Sequence, residues 1–235
     1  MKFIKGLIKF IVFLIILVVT GIGVIFFLIS SPKKEIDVTW TQNDFNSYLE
    51  KVDVEFNDLH ASGEDFLANN LIATGSTTVD TTVSNEELSA IANMSINQNS
   101  VVKDIKIKCH DNNEIETSCR IGDLTPLINQ FPVLEQFESS LKLIENKPVY
   151  MNSTLFYNKS TKLFEGVTKE LYVGKIKIPV DKANNGLEPG GTAINNAIKQ
   201  LDGFSVNEFE VNSDGFKFDG TLPTEIQSAE KFINY

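Results

Sequence analysis

One apolar stretch near the amino terminus most constrains what this chain can fold into. Phe10 to Ile29 is a run of 20 residues that carries no charge and is polar only at Thr20. An α-helix of that length crosses about 30 Å of hydrocarbon. The run therefore predicts a single transmembrane helix followed by a separate domain.

The charges on either side of this run predict its orientation. Three lysines precede it, whereas the two lysines that follow it are succeeded at once by acidic residues. Because positive charge stays on the cytoplasmic side, the amino terminus is expected in the cytoplasm and the rest of the chain outside. The predicted parts are a cytoplasmic stub over 1–9, a transmembrane signal anchor over 10–30, a linker over 31–35 and an extracytoplasmic domain over 36–235.

The alternative for the same run is a cleaved signal peptide. Such a peptide has an apolar core of about 7–15 residues that ends at a small-x-small site. Here the run is longer, and the best candidate site, Ile29-Ser30-Ser31, begins with isoleucine. The pattern favours an uncleaved anchor.

The composition of the predicted domain restricts its partners. All 31 acidic residues but only 16 of the 21 basic residues follow position 34, which gives this part a formal net charge of −15. Such a surface repels nucleic acid and disfavours broad electrostatic docking on an anionic membrane. About 200 residues that include 12 of the 17 phenylalanines are enough for one domain with its own core.

The two cysteines lie on either side of a turn signal. Cys109 and Cys119 flank Asp111-Asn112-Asn113 and belong to two strand-like alternations. If they face each other, the apolar residues of both strands share one face of the hairpin. In an oxidising compartment this leaves two alternatives of equal weight, a cross-strand disulfide and two free buried thiols.

The remaining patterns predict an α+β domain. Capping boxes at Thr41 and Ser84 each start an amphipathic helix, and Thr192 is expected to cap a later helix. The last ninety residues alternate mostly as strands, and a closing hairpin turns at Asn212 to Gly215. We expect a long, curled, mainly antiparallel sheet that packs on a few short helices.

The chain carries none of the sequence motifs that would indicate an enzyme. A nucleophile elbow, a phosphate loop and a dinucleotide fingerprint are all absent. His60 and His110 are the only histidines, and no spacing of carboxylates or cysteines around them predicts a metal site. We expect a non-catalytic protein without a cofactor or metal.

Several short motifs resemble one protein family. Val83-Ser84-Asn85-Glu86-Glu87-Leu88 looks like a helix start of small anchored envelope proteins of Gram-positive bacteria. Leu171 to Val180, the helix from Ile194 to Leu201 and the strand Gly215 to Gly220 together resemble the motif order of YpmS-like proteins. The resemblance covers most of the chain but does not extend to the cysteine hairpin or to the helix at Thr41.

YpmS-like proteins are in turn similar to tubular lipid-binding (TULIP-like) domains, in which a curled sheet leaves an apolar groove. The resemblance implies that the domain binds a lipid or other amphiphile at the outer membrane face. Candidate contacts are six apolar side chains, although such residues more often belong to an ordinary core: Ile176, Ile178, Phe204, Phe209, Phe216 and Phe218.

Two other functions remain open at this point. A structural or regulatory module without a ligand would dock on a cell-envelope protein assembly through an exposed patch of interface size. A hydrolase of envelope polymers would need two carboxylates at a defined separation, and no spacing in the sequence selects such a pair.

Overall fold

The computed structural model describes residues 28–56, 71–96, 101–130, 135–136, 138–181, 191–192, 195–196, 198–199 and 201–228. Four helices have defined bounds: α1 (Gln42–Val52), α2 (Asn85–Met94), α3 (Thr125–Gln130) and α4 (Glu138–Lys142). The described residues between 191 and 199 are also helical. No helix in these ranges is long and apolar enough to span a membrane, and the predicted span lies outside them except for Leu28 and Ile29.

The described chain contains eleven strands. In order they are β1 (Glu55–Phe56), β2 (Leu71–Thr74), β3 (Thr77–Val83), β4 (Val102–His110), β5 (Glu114–Ile121), β6 (Pro148–Asn158), β7 (Leu163–Val173), β8 (Ile176–Ile178), β9 (Ser205–Asn212), β10 (Gly215–Leu222) and β11 (Glu225–Ser228). They form a five-stranded sheet in the order β4-β5-β6-β7-β8 and two three-stranded sheets, β3-β10-β9 and β1-β11-β2. Only the pairing of β1 with β11 is parallel.

The predicted α+β class with mainly antiparallel strands and few helices is confirmed, although the strands are divided among three sheets where one long sheet was predicted. Both predicted capping boxes are present. The Thr41 backbone N–H donates to Asp44 at 2.6 Å, and the Ser84 backbone N–H donates to Glu87 at 2.8 Å. The two helices are joined through the buried Glu87 carboxylate, which accepts from Ser47 at 2.6 Å and Lys51 at 2.8 Å.

Helix α2 lies along the outer edge of β4 and takes the place of a sixth strand. Asn93 donates to the Ile105 carbonyl at 2.6 Å and accepts from the Ile105 N–H at 3.0 Å. Four residues earlier in the helix, Ser89 accepts from the Ile107 N–H at 2.9 Å, and Asn85 likewise accepts from Cys109. Helix residues four apart can bond to strand residues two apart because the two spacings are similar, about 6 Å along the helix and about 6.7 Å along the strand.

The cysteine hairpin has a different register from the one that a disulfide requires. Asn112 and Asn113 adopt left-handed backbone conformations in a three-residue turn, which closes the hairpin directly after His110. Cys109 therefore faces Ile115, and Cys119 faces Val149 of β6. Both cysteines are free thiols in the structure, Cys109 buried and Cys119 partly exposed, so of the two alternatives the structure has free thiols.

The five-stranded sheet has one polar and one apolar face. Paired residues of neighbouring strands share a face, and the side alternates along each strand. Tyr150 pairs with Ser118 and Tyr172 on the polar face, whereas Val149 pairs with Cys119 and Val173 on the apolar face. The sheet therefore offers two different surfaces.

The segment that follows the predicted membrane helix packs on the polar face. Ile36 and Val38 are 3% exposed and form a small core with Tyr150 and Tyr172. At the start of this segment, the Leu28 carbonyl accepts from the Lys175 N–H at 2.7 Å. The predicted linker at 31–35 is thus bounded on both sides by contacts with the sheet.

Candidate functional site

The apolar face of the five-stranded sheet is covered at one end by the β3-β10-β9 sheet. Cys109, Ile115 and Val211 are buried together, and further apolar side chains pack around them. Those partners are Leu88, Ile107, Leu155, Phe209 and Phe216. We call this part of the apolar face the covered end.

The other end of the same face has a row of half-exposed apolar side chains, which we call the open strip. Its two cross-strand rows are Cys119-Val149-Val173-Ile176 and, one pair further along, Met151-Leu171-Ile178. Ile176 is 38% exposed, and the others are partly exposed. The first row spans three strand spacings, or about 14 Å.

The structure places the six candidate ligand residues in two groups. Ile176 and Ile178 lie on β8 at the outer side of the open strip. The four phenylalanines belong to the β9-β10 part of the molecule. Phe209 and Phe216 are in T-shaped contact at 5.4 Å and pack on the covered end, while Phe204 and Phe218 lie 6.1 Å apart.

This division separates candidate contacts from core residues. Phe209 also stacks edge-on against Phe164 of β7 at 5.0 Å, so its ring joins the two sheets. Phe209 and Phe216 therefore fill ordinary core space. Ile176 and Ile178 remain candidates for a ligand contact, together with five residues that the sequence analysis did not select: Cys119, Val149, Met151, Leu171 and Val173.

A buried carboxylate holds the polar face to the segment after the predicted membrane helix. Glu116 is 5% exposed and accepts from Lys34 at 2.5 and 2.7 Å. The Tyr150 hydroxyl donates to it at 2.6 Å, and His110 lies 3.1 Å away. Lys34 precedes Glu116 by 82 residues, so no local spacing in the sequence could have indicated this cluster.

These contacts determine the ionisation of the cluster. Burial by itself raises the pKa of Glu116, but the hydrogen bonds from Lys34, Tyr150 and His110 outweigh it and lower the pKa to about 2. Burial, followed by the hydrogen bond to Glu116, raises the pKa of Tyr150 above its ordinary value. At neutral pH the carboxylate is charged and the phenol is neutral.

A groove of about 600 Å³ runs between this segment and the strands β4 to β6. Its lining is mixed, with cationic and anionic side chains beside Trp40, Ile36 and Pro148. Two of its lining residues, Cys119 and Val149, also belong to the open strip. The groove nevertheless lies on the polar face, so the sheet separates it from the side chains of the open strip.

The described residues show neither a cluster of metal ligands nor a thiol that ionises readily. Among them, no three His, Cys, Asp or Glu side chains lie close enough together to hold a metal ion. Burial raises the pKa of the Cys119 thiol to about 11 and that of Cys109 to about 12, so neither is a thiolate nucleophile at neutral pH. His60 lies outside the described residues, and His110 is engaged with Glu116.

Comparisons with known proteins leave the family of the chain undetermined. No protein-family model matches the sequence, and no curated protein or solved structure matches it significantly. The likeness to YpmS-like and TULIP-like proteins thus stays a prediction from short motifs.

Proposed function

We propose that this protein is a membrane-anchored, non-catalytic domain that holds a lipid or other amphiphile at the outer face of the membrane. The acyl chain lies against the open strip. The observation that carries this proposal is the strip itself, an ordered apolar surface of seven side chains that the second sheet does not cover. Contiguous apolar side chains that stay partly exposed are typical of interaction surfaces.

The position of the strip relative to the predicted membrane helix supports the proposal. Gly174, in the turn between β7 and β8, approaches the carbonyls of Leu28 and Ile29 so closely that a side chain there would clash with both. The first strip row begins next to this turn, at Val173 and Ile176. The strip therefore starts at the end of the sheet where the predicted membrane helix finishes.

The groove is a second candidate pocket, on the polar face of the sheet. Its volume lies within the range of about 300–1,000 Å³ that small-molecule sites occupy. Because its side chains lie on the face opposite the open strip, it does not take part in the proposed contact with an acyl chain.

Photocrosslinking in a bilayer tests the proposal with the full chain. The protein is reconstituted in phosphatidylcholine nanodiscs that contain a trace of phosphatidylcholine with a diazirine in one acyl chain. After irradiation, mass spectrometry locates the attached lipid. We expect adducts on peptides that contain Val149, Met151 or Ile178, in addition to adducts within Phe10 to Ile29.

Two substitutions of the same kind provide the control. Ile176→Asp introduces a charge in the strip, whereas Val167→Asp introduces one on β7 at a residue that is 52% exposed on the polar face. The first should remove the strip adducts and the second should leave them unchanged. Adducts confined to the predicted membrane helix in the wild-type protein would overturn the proposal.

One observation supports the alternative of a docking module without a ligand. Phe156 and Val167 are 36% and 52% exposed and lie near each other on β6 and β7, on the polar face. If the strip captures no lipid and Val167→Asp abolishes association with an envelope protein, this alternative replaces the lipid-binding proposal.

A further inference from the structure

The backbone groups of β3 point alternately towards β10 and away from it, as in any antiparallel ladder. Val211 of β9 exchanges hydrogen bonds with Asn113, at 3.1 and 3.0 Å, so its backbone faces away from its β10 partner Phe216. Phe216 therefore bonds on its other side, to Val83 of β3. The backbone groups of β3 that point out of the sheet are then those of the alternate residues, Thr78, Asp80 and Thr82.

The outer edge of β3 is left open where two other strand edges are covered. Asn113 occupies the outer edge of β9, and three side chains of α2 occupy that of β4. Lys51 donates to the Thr82 carbonyl at 2.9 Å and closes one end of the β3 edge. Thr78 and Asp80 are exposed, and no hydrogen bond from a described residue reaches their outward backbone groups. We call these groups the open edge.

We infer that the open edge pairs with an extended segment of a partner protein, which adds a fourth strand to the second sheet and carries a lysine or arginine opposite Asp80. Unpaired backbone groups on an edge strand are a ready template for a further strand. The inference goes beyond lipid binding and does not depend on it, because the open edge belongs to the second sheet and the open strip to the five-stranded sheet.

The charge of the partner follows from a row of acidic side chains. Asp80 pairs with Asp219, which pairs with Glu208, so three carboxylates share one face of the sheet. Phe209 in the next row packs on the covered end, so the acidic row lies on the opposite, outward face. Glu208 reaches Lys217 at 3.4 Å, whereas no ion pair among the described residues involves Asp80. A cation opposite Asp80 is therefore favoured, and an acid there is repelled.

The geometry of the ladder also predicts the residues on either side of that cation. The residue opposite Asp80 exchanges both backbone hydrogen bonds with it and shares its face. Its two neighbours point to the other face, beside Val79, which is 4% exposed, so apolar side chains suit these positions. A second copy of the chain fits less well, because its own β3 has an aspartate at the centre and both domains carry a net charge of −15.

Peptide binding to the full chain in detergent tests the inference. The probe is a fluorescein-labelled peptide, Thr-Val-Lys-Val-Lys-Val-Thr, and fluorescence anisotropy measures its affinity. One control peptide has glutamate in place of both lysines. The other keeps the lysines but has N-methyl groups on their backbone nitrogens, which removes the N–H groups that the ladder needs. Both controls should bind at least about tenfold more weakly.

Two variants of the protein and a matched control assign the binding to the open edge. Thr78→Pro removes an outward N–H that the ladder with β10 does not use, and it should weaken binding at least about tenfold. Asp80→Lys should weaken binding about as much. Asp214→Lys makes the same change of charge in the exposed β9-β10 turn and should alter the affinity less than about twofold at physiological salt.

Hydrogen exchange measured by NMR locates the peptide on the strand. In the free protein the N–H groups of Thr78 and Asp80 should exchange faster than those of Val79 and Thr81, and saturating peptide should slow the first two. Equal binding of the N-methylated peptide, or no protection of Thr78 and Asp80 at saturation, would overturn the inference. Protection in the protein alone that disappears on dilution would assign the edge to a second copy and would also overturn it.

Discussion

The covered end and the open strip belong to the same strands and the same face, yet their surroundings differ. Cys109 is 1% exposed beneath the second sheet, whereas Ile176 is 38% exposed. Both ends follow the same alternation of apolar and polar residues. The difference arises because Val211, Phe209 and Phe216 of the second sheet pack around Cys109 and Ile115. Alternation thus determines which side chains share a face, and a distant segment determines which of them are buried.

The comparison predicts unequal losses of stability at the two ends. Phe216→Ala should lower the free energy of unfolding by about 3 kcal/mol, because it removes a ring from the packed cluster. Ile176→Ala should cost under about 1 kcal/mol, since that side chain is already partly in water. Urea unfolding of the full chain in detergent measures both, and equal losses would contradict the division of the face.

Acid should weaken the polar face selectively. The pKa of Glu116 falls from 4.5 to about 2 on folding, so its contribution is fully present above pH 4.5 and is lost as the pH falls towards 2. We expect a loss of roughly 1–3 kcal/mol across this window. Glu116→Gln should be less stable at pH 7 and should show a flatter dependence between pH 4.5 and 2. A slope equal to that of the wild-type protein would contradict the assignment.

The two thiols report on the two ends of the apolar face without any substitution. Cys119 lies in the partly exposed strip and Cys109 beneath the second sheet. At pH 8, iodoacetamide should alkylate Cys119 at least about tenfold faster, although burial makes both reactions slow. Occupation of the strip by lipid should slow Cys119 further. Faster labelling of Cys109 would show that the second sheet does not protect it.

The smallest effect is expected where the polar face holds the preceding segment. Lys34→Met removes an ammonium that is 50% exposed, so the cost should be under about 1 kcal/mol. Hydrogen exchange should nevertheless quicken at Val38, whose N–H is bonded to the Ile36 carbonyl. Unchanged exchange there would mean that the packing of Ile36 and Val38 holds the segment without the ion pair.

Local chemistry allowed much of the fold to be predicted. The capping boxes at Thr41 and Ser84 and the closing hairpin at Asn212 to Gly215 depend on neighbouring residues, and all three are present. The patterns from Phe66 to Ala73 and from Thr224 to Ile233 each predict a short helix, and both predictions are wrong in the described parts of these ranges. Leu71–Thr74 and Glu225–Ser228 are strands because they pair with each other across the length of the chain.

The candidate site was harder to predict from the sequence, because it too depends on pairing between distant segments. The interval from Leu163 to Val180 resembles one long strand in the sequence, and the left-handed Gly174, at φ 60°, folds β8 back onto β7. The open strip also needs the pairing of β5 with β6, which two helices separate along the chain. Ile176 and Ile178 were selected from their alternation, but their neighbours in space were not.

The side-chain bonds between α2 and β4 have a consequence for the order of folding. Asn93 reaches Ile105 across 12 residues, and Asn85 reaches Cys109 across 24. Closing β3 against β10 instead joins Val83 to Phe216, which requires a far longer loop and a larger loss of chain entropy. Contacts between nearby residues form faster. A chain synthesised as far as Asn158 therefore already contains α2 and the strands β4, β5 and β6. We expect the second sheet to form later, because β9 and β10 lie near the carboxyl terminus.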